Sequence, residues 1–183
     1  MTDFSRPGRT FNRRGWVSSI ALGLTALALP VSAKPEAPRS LAFKHLHTGE
    51  TLSVKYFRNG RYDPQALTAI NHLLRDFRTD EVYPIAPALL DQLCLLHRLI
   101  GSDAPFEIIS AYRSPLTNAT LHRVSSGVAS GSLHMQGKAI DVRLADTRTR
   151  HLRDVARELG AGGVGYYASS NFVHLDIGRR RHW

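Results

Sequence analysis

The sequence predicts an α+β fold: a mainly antiparallel sheet with helices packed on one side and a metal site at the sheet rim. Three observations carry that expectation. Apolar residues recur at helical spacing in long segments around residues 64–77, 87–100 and 148–159. Strand-like alternation precedes, separates and follows those segments, with hairpin pairing expected at the ends. The polar residues suited to chemistry fall on the strands and their ends rather than on the helices.

At 183 residues the chain is one domain's worth, with room for a sizeable core. Residues 1–33 are expected to stand apart from it as an export signal. Arg6, Arg9, Arg13 and Arg14 form a basic start, Val17 to Leu29 is apolar, and Val31-Ser32-Ala33 is a small-residue cleavage site. The apolar run is too short for a comfortable membrane span. Arg13-Arg14 before Gly15-Trp16-Val17 fits a twin-arginine signal, with Trp where Phe is more usual. An export translocase is therefore an expected partner, and the periplasm or another exported location the expected address. The formal net charge of +9 includes four Arg and one Asp of that segment. Without it, 20 basic and 14 acidic residues remain. A basic exported chain suits anionic wall polymer or headgroups and makes nucleic acid a poor partner. A lone Cys94 excludes an internal disulfide, and its leucine-rich surroundings point to a buried thiol. A monomer is expected.

In chain order, residues 34–40 read as a linker and residues 41–183 as the folded domain. Leu41–His47 and Thr51–Phe57 form a hairpin around Thr48-Gly49-Glu50. His45 and His47 share a face there, read as solvent-facing histidines rather than ligands. Asp63-Pro64 starts a helix whose apolar face runs through Ala66, Leu67, Ile70, Leu73, Leu74 and Phe77. A second helix runs from Pro87 to Gly101 with a wide apolar arc, which suits the central core helix. His72 and His97 on these helices read as surface or satisfied histidines. Phe106–Ser114 is a strand ending in a polar knuckle, and Ser114-Pro115 starts a short helix to about Val124. The small-residue segment 125–132 is a loop, either a substrate-side lip or a plain connector. Asp146 or Thr147 caps a helix bearing Leu152, Val155, Ala156 and Leu159, which ends at Gly160. Residues 162–167 form a glycine-rich strand, not a phosphate loop, because no Lys-Ser/Thr and no helix start follow it. Asn171–Ile177 is the last strand.

Two stretches carry the chemistry. Gly131 to Asp141 holds His134 and Asp141 seven residues apart, with Gly137 between them. His134 belongs to a loop, the chain turns near Gly137, and Ala139, Asp141 and Arg143 share one strand face. In Phe172-Val173-His174-Leu175-Asp176, His174 and Asp176 share another. Two imidazoles and one carboxylate suit a divalent transition metal, and three protein ligands leave a position for water, as catalytic zinc sites do.

Ser132-x-His134-x-x-Gly137-x-Ala139-x-Asp141 resembles the signature of the zinc D-Ala-D-Ala peptidase superfamily. That group holds D-alanyl-D-alanine carboxypeptidases and dipeptidases and the penicillin-insensitive murein endopeptidases, with the hedgehog signalling domain as a relative. Ser110-Ala111-Tyr112-Arg113-Ser114, Gly162 to Tyr167, Phe172 to Asp176 and the final Arg181-His182-Trp183 extend the resemblance over most of residues 41–183. It implies His134, Asp141 and His174 as zinc ligands, Arg113 as a clamp for an oxyanion or substrate carboxylate, and Ser132 as a residue that orients the loop or a ligand. It also implies an exported zinc peptidase acting on stem or cross-bridge peptides of peptidoglycan, with cross-link cleavage fitting better than trimming of free dipeptide. The pattern departs in one place. Related enzymes carry a general base two or three residues before the last zinc histidine, where this chain has Asn171 and Phe172. Asp176, roughly 7 Å along the strand from His174, reads first as a carboxylate that supports the site and only second as a base; His182 is a further candidate base, and Tyr166 or Tyr167 an oxyanion donor. The rival reading is a non-catalytic, zinc-containing module that binds the cell wall.

Overall fold

The computed structural model describes residues 36–124 and 129–183. The expected export signal lies outside them. The strands are β1 (Arg39–His45), β2 (Thr51–Arg58), β3 (Arg61–Tyr62), β4 (Phe106–Ser110), β5 (Ala139–Leu144), β6 (Gly163–Tyr167), β7 (Phe172–Asp176) and β8 (Arg181–His182). The helices are α1 (Pro64–Leu73), α2 (Pro87–Ile100), α3 (Pro115–Val124) and α4 (Thr149–Leu159). The eight strands form one sheet in the order β3-β2-β1-β4-β5-β7-β6-β8. It is mixed but mostly antiparallel, since β1 runs parallel to β4 and β6 parallel to β8. Among the described residues no helix is long and apolar enough to cross a membrane.

The register divides the sheet into two faces. Phe106 lies opposite Leu144, Ile108 opposite Val142, Val142 opposite Val173, and Ile140 opposite Leu175, which is itself opposite Val164. All are buried, and with Leu41 and Phe43 they form the apolar floor of the core. Helix α1 packs beside β2, α2 beside β1, and α4 across β5, β6 and β7, while α2 also touches α4. Three helices therefore share one side, as the apolar spacing requires. Alternation then commits Asp141, His174 and Asp176 to the other face, because neighbouring strand residues point in opposite directions.

Local rules explain the helix boundaries. The Asp63 carboxylate accepts from the Gln65 and Ala66 amides, and Pro64 occupies the first turn, where its missing N–H costs nothing. Helix α2 ends at Gly101 in the left-handed region (φ 71°), as expected for a glycine stop. Ser114 Oγ accepts from the Thr117 amide at 3.2 Å and caps α3. Gly160 (φ 62°) ends α4.

Several expectations need correction. Strand β1 starts at Arg39, inside the expected linker. Helix α1 stops at Leu73, so Phe77 lies past it and stacks on His47 with ring centroids 4.1 Å apart. His45 is buried rather than solvent-facing, because it follows Leu41 and Phe43 on the helix side of β1. The residue capping α4 is Arg148; Asp146 instead accepts from Ser102 Oγ at 2.8 Å, and Thr147 donates to Asp146. The two-residue strands β3 and β8 carry too few residues for any periodicity to reveal. Cys94 is buried and free, His72 is exposed, and His97 bonds the Ala104 carbonyl at 2.7 Å, all as expected.

Candidate functional site

Asp141 and His174 lie directly opposite each other on β5 and β7, two inner strands, with Gly165 beyond His174 on β6. The cluster therefore occupies the sheet face opposite α1, α2 and α4 rather than the sheet rim. His134 reaches it from a 3-10 turn, Leu133–Gln136. Ser132 Oγ accepts from the His134 amide at 3.4 Å and so caps that turn instead of touching an imidazole. Gly137 ends it at φ 61°, where a Cβ would run into the Pro84 carbonyl oxygen. Only glycine meets both demands.

The three side chains expected as metal ligands converge closely. His174 Nδ1 is 2.9 Å from Asp141 Oδ1, His134 Nε2 is 3.3 Å from the same oxygen, and the two nitrogens are 3.2 Å apart. A tetrahedral ion with ligand bonds of about 2.0–2.1 Å sets its ligands roughly 3.3 Å apart, so the triangle fits zinc. Two flanking acceptors decide which nitrogens face the centre. His134 Nδ1 donates to the Ala111 carbonyl at 2.6 Å, which leaves Nε2 as acceptor. His174 Nε2 meets Asp176 Oδ2 at 3.1 Å, which leaves Nδ1. This is the outer support that orients metal-binding imidazoles. All three residues are buried.

Burial and charge pull against each other here. Burial alone would raise the Asp141 carboxyl, but His134 and His174 beside it hold it well below the ordinary carboxylate range. Burial depresses His134, so its imidazole stays neutral and able to ligate. In His174 burial is outweighed by the bonds to Asp141 and Asp176, and the pKa rises. Asp176, fully buried, also sits below its usual range despite burial, through His174, Arg181 and the Gly163 and Gly178 amides.

A cavity of about 340 Å³ opens over the triad. Arg113, Ser132 and His134 are among its polar lining; Tyr167, Phe172 and Trp183 are its aromatic residues. Arg113 forms an ion pair with Asp141 Oδ2 and donates from Nε to Ser110 Oγ at 2.9 Å, so it braces the carboxylate. Ala129, Gly131 and Ser132 also line the opening, which supports the lip reading for the end of that loop; residues 125–128 lie outside the described residues. Buried Asn118 donates to the Ala129 and Ser130 carbonyls and holds that end.

Two expected bases are not placed to act. His182 lines a different surface hollow with Arg157 and Arg180 and pairs with Val164, whose side chain faces the helices. Asp176 lies behind the His174 ring with both oxygens engaged, by Arg181 at 2.7 and 3.1 Å and by two amides at 2.8 and 3.1 Å. Tyr166 faces the helices under Arg153, and Tyr167 is the tyrosine at the cavity. Neither substitute residue is a base: Phe172 lines the cavity and Asn171 bonds Thr149 at 3.0 Å. Among the described residues, no carboxylate or imidazole outside the triad lines the cavity. The active roles of Arg181 and Trp183 in shaping the site escaped the sequence reading, although the terminal Arg-His-Trp was the available signal.

The comparisons with known proteins agree with this geometry. A family model described as peptidoglycan L,D-endopeptidase MepK matches residues 33–183. The chain belongs to this peptidase family. It is 40% identical over 176 residues to the peptidoglycan L,D-endopeptidase MepK of Escherichia coli (strain K12), covering 94% of this chain and 97% of that protein. It is also 40% identical over 177 residues to the probable peptidoglycan L,D-endopeptidase MepK of Haemophilus influenzae, covering 94% and 95%. No solved structure matches the chain.

Proposed function

We propose that this chain is an exported, zinc-dependent peptidoglycan endopeptidase that cuts L,D-type peptide cross-links. The single observation that carries the reading is the buried His134-Asp141-His174 triangle at the floor of an open cavity, with both imidazoles already turned inward by Ala111 and Asp176. The L,D choice rests on what the related Escherichia coli and Haemophilus influenzae proteins are called. When bound, zinc supplies Lewis acidity toward a peptide carbonyl and makes a water acidic enough to attack it.

The chain's own residues do the rest. Arg113 keeps Asp141 turned so that Oδ1 faces the imidazoles and Oδ2 faces the guanidinium. Tyr167 lines the cavity and accepts at its hydroxyl from Trp183 Nε1 at 3.0 Å, a bond that fixes the two rings against each other. Asp176 is the orienting carboxylate for His174 rather than a base. Arg181 grips Asp176 with a two-pronged guanidinium, the geometry in which arginine binds carboxylates best.

One observation favours the second reading, a zinc-containing wall-binding module: no spare base lines the cavity among the described residues. Membership of a peptidase family weighs against it. Digestion of purified sacculi with and without chelator, followed by chromatography of the muropeptides, separates the two. Loss of cross-linked dimers that stops on chelation and returns with zinc supports the hydrolase. Retention on sacculi with no new products overturns it.

A further inference from the structure

The last residue is held in an unusual way. Trp183 is 51% exposed, yet its position is closely restrained. Its amide donates to the Val164 carbonyl at 3.3 Å and its carbonyl accepts from the Tyr166 amide at 3.0 Å, which continues β8 alongside β6. Its indole Nε1 donates to Tyr167 OH, and the Arg181 guanidinium lies 5.1 Å from its ring centroid. Below it, β6 presents Gly165, where a Cβ would come within 2.6 Å of the indole carbons. The indole lies flat on the sheet because that one position has no side chain.

The restrained ring stands 5.3 Å from the His174 imidazole and lines the cavity. Beside it, Tyr167 and Phe172 stack at 4.5 Å and continue the aromatic surface. A ring that served only as a cover for His174 would be expected to bury more of itself. A fixed, exposed aromatic face is instead the kind of surface that receives a ligand at low ordering cost. The same cavity also has polar lining, Arg113, Ser132 and His134 among it. Apolar and polar lining together suit a peptide with both aliphatic and polar parts.

We propose that the Trp183 indole is a substrate-binding wall that receives the aliphatic part of the stem-peptide residue beside the bond to be cut, and that Gly165 positions it. This rests on the peptidoglycan reading above. The chemistry of the contact is burial of side-chain methylenes against an aromatic face, so Trp183 sets affinity and leaves the chemical step to the triad.

Two measurements test it. The first is kinetics on a purified cross-linked muropeptide dimer, with bound zinc and melting temperature followed in each variant. Trp183→Ala is expected to raise KM about tenfold, Trp183→Phe and Gly165→Ala about threefold, each with kcat within about threefold of wild type and zinc unchanged. An unchanged KM, or a fall in kcat that tracks lost zinc, overturns the proposal. The second uses the fact that Trp16 is the only other tryptophan. In the full chain carrying Trp16→Phe, indole emission reports Trp183 alone. Titration with disaccharide-tetrapeptide monomer is expected to shift it saturably, and more weakly when Gly165→Ala is added. No shift at concentrations that inhibit dimer cleavage overturns the proposal. A protein that cuts nothing but still shows the shift fails as a hydrolase while the binding wall stands; cleavage with KM indifferent to Trp183 gives the reverse.

Discussion

Strands β5 and β7 carry two chemistries on alternate residues. On the helix side, Ile140, Val142, Val173 and Leu175 are fully buried among other apolar groups. On the opposite side, Asp141, His174 and Asp176 are nearly as buried, but each polar atom at the triad has a named partner. The first face needs only shape and volume to be stable. The second must satisfy every lone pair and proton, because a buried charge without a partner is expensive. His45 sharpens the contrast. It is as buried as His134, but among the described residues its Nε2 has no hydrogen-bond partner and no carboxylate faces it as Asp141 faces His134. Burial of a histidine therefore does not make a site; convergence with an oriented carboxylate does.

Substitutions on the two faces should separate activity from stability. The largest effect is expected at the triad. His174→Ala or Asp141→Asn should lower muropeptide dimer cleavage by at least about a thousandfold, since a metal site supplies several kcal/mol to the reaction, with bound zinc lost in step. Cleavage that persists with zinc still bound would erase the distinction between the faces. Next comes Ile140→Ala, between Asp141 and Ala139 but on the helix side. It should cost about 2–5 kcal/mol in denaturant unfolding, as large-to-small core changes do, yet leave zinc bound in the folded fraction.

A smaller effect is expected behind the site. Asp176→Asn should weaken zinc affinity about 10–100-fold in competition with a chelating dye, the usual loss when an orienting carboxylate is removed. Zinc affinity equal to wild type would show that Arg181 and Asp176 only close the sheet edge. The smallest concerns His45, whose pKa burial pushes down from 6.5 to about 4, with His47 and Arg75 adding to the fall and Glu50 opposing it. The folded state then binds fewer protons than the unfolded state between those values, so this contribution falls as acid is added through that window. Its slope is at most about 1.4 kcal/mol per pH unit. His45→Phe should flatten that part of the stability–pH curve, and an unchanged slope would contradict the assignment.

How much of this was legible in the sequence differs between the faces. Helices α1 and α2 announced themselves through Asp63-Pro64, Pro87 and Gly101, because caps and stops are local. The face shared by Asp141 and by His174 with Asp176 followed from a period of two. The His-x6-Asp and His-x-Asp spacings pointed to the three side chains that converge but not to their place, since spacing says nothing about strand order; the triad lies over inner strands. Phe77 was misread because helical spacing continues past Leu73 while the backbone turns. His182 fails as a base for a related reason, and Asp176 takes the supporting role that was its first reading rather than that of a base. Which side of β8 faces the cavity depends on its parallel pairing with β6, and the partners of Asp176 come from Gly163, Gly178 and Arg181 only after folding.

The proposed function requires one zinc ion held by His134, Asp141 and His174 on the face opposite α1, α2 and α4. Equilibrium dialysis of the full chain against buffered zinc tests it most directly, run beside Asp141→Ala, His174→Ala and His45→Ala. One tightly held ion per wild-type chain, lost in the first two variants and kept in the third, is the predicted result. Zinc retained at wild-type affinity without Asp141 or His174 would contradict it.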